Sequence, residues 1–189
     1  RLGVDVFGVD EHHRPDYSVS SPEIVLGSIA SVTDRIKLAT AVTVLSSDDP
    51  VRVYERFATL EGLSEGRAQV MLGRGSFTES FPLFGYDLTD YDDLFNEKLE
   101  MYSQLLKEKP ITWHGKFTQS LKDQDVYPKT DYNGIETYIG IGGSPESIIR
   151  TARYGYKVIL AIIGGQADRF VPYLNPVSYT HLTLPTNSL

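Results

Sequence analysis

The chain has 189 residues, of which 41% are hydrophobic and 23% charged, an ordinary globular composition with enough material for a sizeable core. A formal net charge of −7 argues against a nucleic-acid surface, which needs a basic face. The absence of cysteine excludes disulfides and zinc–thiolate sites, and no apolar run is long enough to span a bilayer.

Residues 2–9 are apolar at nearly every position, like a strand buried on both faces. The run ends abruptly in Asp10-Glu11-His12-His13, and Pro15 and Tyr17 follow. Ser20-Ser21-Pro22-Glu23 predicts a capped helix start with Pro in the first turn. Ile24, Leu26, Ile29, Ala30 and Val32 supply that helix with an apolar face. Residues 36–45 read as a β-branched strand ending in Ala41-Val42-Thr43-Val44-Leu45. Asp49-Pro50-Val51 opens a second helix, apolar at Val53, Phe57, Leu60 and Leu63 and stopped by Gly66.

Residues 68–72 predict a third strand, followed by Gly73-Arg74-Gly75-Ser76. Phe77, Phe81, Phe84 and Tyr86 form an aromatic cluster that fits core better than substrate wall. Residues 90–108 predict a long amphipathic helix with Tyr91, Leu94, Phe95, Leu99, Tyr102 and Leu106 on one side. Residues 110–135 read as irregular and polar. A fourth strand is expected at 137–141, a helix from Ser144-Pro145, and a fifth strand at 158–163.

Alternating strands and helices imply an α/β fold with a parallel sheet. Five strands do not close an eight-stranded barrel, and an open doubly wound sheet fits the periodicity equally well. The chain opens on Arg1 rather than Met, which leaves a preceding segment open. Residues 175–189 contain no Asp, Glu, Lys or Arg and resemble translated read-through rather than a natural terminus. They are set apart from the fold, and His181 within them receives no role.

Polar or glycine-rich residues follow each strand, where a (β/α) barrel keeps its chemistry. His12 and His13 are neighbours in an extended segment and point to opposite sides, so both cannot easily face one ligand: either one faces the barrel mouth while the other packs or caps, or both are structural residues at a strand end. Glu11 could orient an imidazole. No third ligand stands at metal spacing, so no metal site is expected. Arg74 offers a planar fork for a phosphate or carboxylate, or a structural ion pair; Gly73 and Gly75 let backbone approach a ligand. Gly142-Gly143-Ser144-Pro145-Glu146-Ser147 joins a strand to a helix start, either an anion site or a simple cap. Ala41 and Val42 could floor a planar ring, or belong to an ordinary core strand.

In combination these segments resemble the bacterial luciferase-like flavin monooxygenases over residues 1–174. The resemblance rests on EHHRPDYSVSSPE, AVTVLSSDDPVRVYERFATLEGLSEGR, GRGSFTESFPLFGYD and IGIGGSPESIIRTARYGYKVILAIIGG. It implies a partial (β/α)8 TIM barrel lacking the first and last strand–helix units. It also implies a cytoplasmic enzyme that uses reduced FMN and O2 to oxidise a small organic substrate. A separate flavin reductase would supply the cofactor, and a homo-oligomer is compatible. On this resemblance His12 matches the catalytic histidine, and Arg74, with Gly75 and Ser76 beside it, matches the arginine at the flavin phosphate. Gly142, Gly143, Ser144 and Ser147 match a second phosphate-binding segment. Ala41 and Val42 match the strand end beneath the flavin ring, where the family can carry a cis peptide without proline. A deazaflavin (F420)-dependent oxidoreductase and a flavin-binding protein without turnover are the alternatives.

Overall fold

The computed structural model describes residues 3–132, 134–142, 145–162, 166 and 168, with the backbone alone at 145 and 146. The chain divides into two compact units, residues 1–136 and 137–189. No helix among the described residues is long and apolar enough to cross a membrane. The expectations for 175–189 lie outside the described residues.

The first unit is built on parallel strands. Strand β1 (Val6–Val9) pairs with β2 (Lys37–Thr40), whose other side meets β4 (Ala68–Gly73), and the short β3 (Thr43–Val44) also pairs with β4. Helix α1 (Pro22–Ala30) links β1 to β2, and α2 (Pro50–Leu63) links β3 to β4. The short α3 (Ser80–Leu83) and a single 3₁₀ turn then lead into α4 (Tyr91–Leu105). Parallel strands joined by helices are the expected architecture. The core lies between the sheet and the helices, with Leu26, Leu38, Val53, Phe57, Leu72, Leu94, Leu99 and Tyr102 buried.

Several local expectations are corrected. The first strand starts at Val6 and is not buried on both faces: Val6 and Phe7 are each about two-fifths exposed, at 40% and 41%. Among the described residues β1 has a strand partner on one side only. Ser21 stands at the N-cap of α1 but makes no side-chain cap bond, whereas Asp49 caps α2 by accepting from the Val51 and Arg52 N–H groups. Ile24 and Val32 face solvent, and α1 buries Leu26 and Ala30. In α4 the buried stripe runs through Lys98, Met101 and Leu105 rather than Leu106. Residues 110–135 are not wholly irregular, because β5 (Ile111–Trp113) and β6 (Leu121–Gln124) form an antiparallel pair.

The expected single strand 36–45 is interrupted. From Ala39 to Thr43 the chain advances four residues while β4 advances three, from Gln69 to Leu72. One residue is therefore extra, as in a bulge, and Ala41-Val42 leaves the ladder. The Thr40 hydroxyl fills the gap. It donates to the Met71 carbonyl and accepts from the Met71 N–H and the Thr43 hydroxyl.

At the N-terminal ends of the strands Arg67 is buried without a carboxylate partner among its hydrogen bonds. Its guanidinium donates to the carbonyls of Ser64, Ile36 and Ala30 and to the Thr33 hydroxyl, at 2.7–3.1 Å. Ala30 ends α1 and Ser64 caps α2, so the cation sits against two helix C-termini, where the dipoles favour it. The second unit pairs β7 (Glu136–Ile141) in parallel with β8 (Lys157–Leu160) across α5 (Pro145–Arg153).

Replacing Arg67 with Leu strands several buried carbonyls at once. Arg67→Leu should destabilise the protein by roughly 2–5 kcal/mol in denaturant unfolding. A loss near zero would show that these bonds carry no net stability.

Candidate functional site

The strand ends of the first unit carry a floor of small residues. Gly8 lies in β1 and Gly73 ends β4. Between them the Ala41–Val42 peptide bond is cis, as the resemblance allows. A Cβ on Gly8 would stand 3.1 Å from Ala41 Cβ, and one on Gly73 would stand 2.6 Å from Val42 Cγ2. Gly75 has φ +80°, and a Cβ there would meet Val44 Cγ1 at 2.8 Å. Glycine is therefore required where the interrupted strand lies against its neighbours. Gly8 and Ala41 remain exposed, which leaves a flat apolar surface.

The two histidines have different partners. The His12 ring lies tilted against Tyr17 at 3.8 Å between centroids and takes Phe77 edge-on at 5.0 Å. These rings, themselves 43% and 37% exposed, leave the His12 side chain only 13% exposed. Asp10 Oδ2 stands 3.8 Å from His12 Nε2. His13 instead bonds Glu11 at 2.9 Å and meets Phe84 edge-on. Glu11 thus orients His13 and not His12. Burial pushes the Glu11 carboxyl above its ordinary range, while the bonds from His13 and the Val44 N–H pull it down.

Arg74 is part-buried. Its guanidinium lies 3.3 Å from Asp92 Oδ1, in the first turn of α4, and 5.4 Å from the centre of the Phe95 ring. It therefore has the ion pair read as one of its two roles. The Tyr91 hydroxyl donates to the Gly75 carbonyl and fixes the loop, while Ser76 is exposed. Phe77, in the same loop, reaches His12, and the Arg14 guanidinium covers its ring at 4.7 Å. The aromatic cluster is split: Phe81 is core, Phe77 lies against His12, and Tyr86 underlies Lys98.

In the second unit Gly142 is exposed with open space around it. Ser147 is buried within α5; its hydroxyl accepts from Arg150, and its carbonyl accepts from Thr151. Gly143 and Ser144 lie outside the described residues. Among the described residues no cluster of His, Asp or Glu could hold a metal ion.

Lys98 is a residue that the sequence reading missed. It is fully buried, donates to the Ser46 carbonyl at 2.7 Å, and sits 3.9 Å from the centre of the Tyr86 ring. Burial pulls its ammonium down to about 8, against the upward influence of Asp48, Asp49 and Glu97. Its position on the buried stripe of α4, at the spacing of Leu94, Leu99 and Tyr102, was the available signal.

A family model for luciferase-like monooxygenases matches residues 1–171. N-acetyl-S-alkylcysteine monooxygenase of Bacillus subtilis is 28% identical over 170 residues, 88% of this chain and 49% of that protein. Monooxygenase RslO1 of Streptomyces bottropensis superposes with a TM-score of 0.84 at 22% identity, over 95% of this chain and 56% of its own. The oxygenating constituent of 3,6-diketocamphane monooxygenase of Pseudomonas putida, solved with FMN, gives 0.78 at 19%, over 95% and 53%. An F420-dependent secondary alcohol dehydrogenase gives 0.74 at 22%, over 93% and 57%. At such identities these structures share the fold. The chain spans roughly a third to a half of the curated relatives it matches.

Gly75→Ala should cost about 1–3 kcal/mol in unfolding free energy, because it combines a left-handed φ with overpacking on Val44. Gly27→Ala, in α1 with open space at its Cβ, should instead stabilise by about 0.5–1 kcal/mol. Equal effects at the two positions would contradict the close approach at Gly75.

The depressed Lys98 gives a pH dependence of definite sign. Between its folded value of about 8 and the ordinary value of 10.5 the unfolded chain binds more protons than the folded one. The lysine therefore costs stability below pH 8, and the cost is relieved as pH rises through that window. The stability of wild type relative to Lys98→Met should rise by about 1–3 kcal/mol from pH 7.5 to pH 10. A flat or falling difference would show that the ammonium titrates normally.

Proposed function

We propose that this chain, which belongs to the luciferase-like monooxygenase family, forms part of a site for reduced FMN and oxidises a small organic substrate with O2. The observation that carries the reading is the glycine-lined floor at Ala41-Val42, together with a histidine shielded by aromatic rings on the segment that follows β1. A planar ring system needs such a surface, and side chains at Gly73 or Gly75 would collide with Val42 or Val44, while one at Gly8 would crowd Ala41. The residues present therefore fit the group. Bound reduced flavin supplies the electrons that activate O2.

The chain's own residues bind, orient and manage protons. Ala41 and Val42 would form the surface that holds the ring. Arg74 gives its fork to the phosphate, with Gly75 and Ser76 shaping the loop, and exchanges part of its Asp92 contact for the ligand. Gly142, Gly143, Ser144 and Ser147 keep the phosphate-binding role that the sequence resemblance assigns them. His12 holds or gives a proton next to the flavin, and Tyr17 and Phe77 limit the water that reaches it. A separate reductase and a cytoplasmic location accompany this reading. The fold likeness to an F420-dependent dehydrogenase supports a second one, in which a deazaflavin takes the same floor and hydride transfer replaces O2 chemistry.

Titration with FMN and with F420, followed by absorbance and fluorescence, separates the two. FMN should bind, and Arg74→Ala should weaken it by about 10–100-fold, as for one lost charge-assisted contact. His12→Ala should slow turnover by about 10²–10⁴-fold and change flavin affinity little. An Arg74→Ala affinity equal to wild type removes Arg74 from the site. A preference for F420 over FMN replaces the first reading with the second.

A further inference from the structure

Glu11 and His13 are not used by the flavin reading, yet they form the best-defined polar pair near the floor. Their side chains are 9% and 12% exposed. One Glu11 oxygen lies 2.9 Å from His13 Nε2, and the other accepts the Val44 N–H at 2.9 Å. Val44 is no ordinary residue here. It pairs with Gly73 on β4 and lies close enough to Gly75 to demand glycine there. Its N–H belongs to the first strand residues after the ladder is interrupted, where regular pairing cannot serve every group. A carboxylate is an acceptor at both oxygens, so it can take one bond from each of two donors. The His13 ring is backed by Phe84 edge-on at 5.2 Å, which limits how far the imidazole can swing. Asp48, on the loop after β3, is the other carboxylate that Glu11 senses, and it is paired with Arg56.

We infer that Glu11 is a positioning residue of the floor: its carboxylate clamps the backbone of Thr43-Val44 from the end of β1, and His13 donates from Nε2 to keep it aimed. The inference deepens the flavin reading and rests on it for its functional meaning. The clamp holds β3 against β4, and β3 in turn fixes where Ala41 and Val42 emerge. His12, the next residue along, is left to face Tyr17 and Phe77, because the intervening peptide is anchored on both sides by Glu11 and His13.

The test uses the whole chain without cofactor. Long-range proton–nitrogen spectra report the His13 ring, with His13→Gln assigning the signal, and hydrogen exchange reports the Val44 amide. In wild type His13 should carry its proton on Nε2. Glutamine has a single acceptor oxygen. In Glu11→Gln that oxygen stays with the Val44 N–H, the amide NH2 turns to His13, and the ring proton moves to Nδ1. Glu11→Leu removes both bonds, and Val44 should exchange about 10-fold faster or more relative to the β4 amides. Tyr54→Phe serves as the control, since it removes a hydroxyl that reaches Glu108 and the Pro128 carbonyl, neither of them a partner of Glu11 or Val44, and should leave that ratio unchanged.

A His13 ring still protonated at Nε2 in Glu11→Gln overturns the inference. So does Val44 exchange in Glu11→Leu that rises no more than in the control. If Glu11→Leu does not fold, the volume-preserving Glu11→Gln decides through the ring signal. FMN titration of the same variants adds the functional arm. Weakened FMN binding in Glu11→Leu, but not in Tyr54→Phe, supports positioning, and equal affinities overturn it. A wild-type chain that takes up no flavin overturns the flavin reading alone, because the ring and amide signals are recorded without cofactor.

Discussion

The one extra residue between Thr40 and Thr43 is the constraint from which the site follows. A strand that skips its ladder leaves backbone groups without their regular partners, and buried groups of that kind must be satisfied elsewhere. Side chains do this at each point. The Thr40 hydroxyl serves both backbone groups of Met71, Glu11 takes the Val44 N–H, and Lys98 takes the Ser46 carbonyl. Ala41 is left exposed and Val42 half-buried, and glycine is needed at 73 and 75 to make room for Val42 and Val44, while Gly8 lies in tight contact with Ala41. The close packing of the floor and the exposure of Ala41 thus have a common origin.

The opposite ends of the same strands show the complementary solution. There Arg67 ties the C-terminal end of α1, the turn into β2 and the C-cap of α2 into one buried network. A guanidinium suits this because its rigid fork reaches several carbonyls at once, whereas an ammonium would be a point charge. Helix dipoles stand in for the missing carboxylate. One end of the unit is closed by a satisfied cation, and the other is left open in glycine and alanine. That division is the one expected of a barrel-type sheet, in which stability residues gather at the N-terminal face and chemistry at the C-terminal face.

Much of this was legible in the residues. Alternating apolar runs and caps located the strands and main helices, because burial imposes its period directly on composition. The separation of His12 from His13 followed from alternation, and the family resemblance marked Ala41-Val42. Other features depend on contacts distant in sequence. The break at 41–42 was hidden because its residues are as β-branched and small as the strand around them. The β5–β6 pair was missed because its strands are short and polar, with Lys122, Asp123 and Gln124 where a strand signal was sought. Exposure of Val6 and Phe7 could not be read from their hydrophobicity, which says what a strand can bury and not what covers it. Lys98 was hidden by its charge, and the carbonyl it bonds lies on the loop after β3, about fifty residues earlier.

The central claim is that a planar cofactor rests on the floor made by the interrupted strand. Backbone amide spectra recorded during FMN titration test it most directly. The account predicts that the largest shifts fall on Gly8, Ala41, Val42, Gly75 and the His12–Tyr17 segment. Shifts that instead gather in the outer groove between α1 and α2, at Glu23, Ile24 and Tyr127, would contradict it.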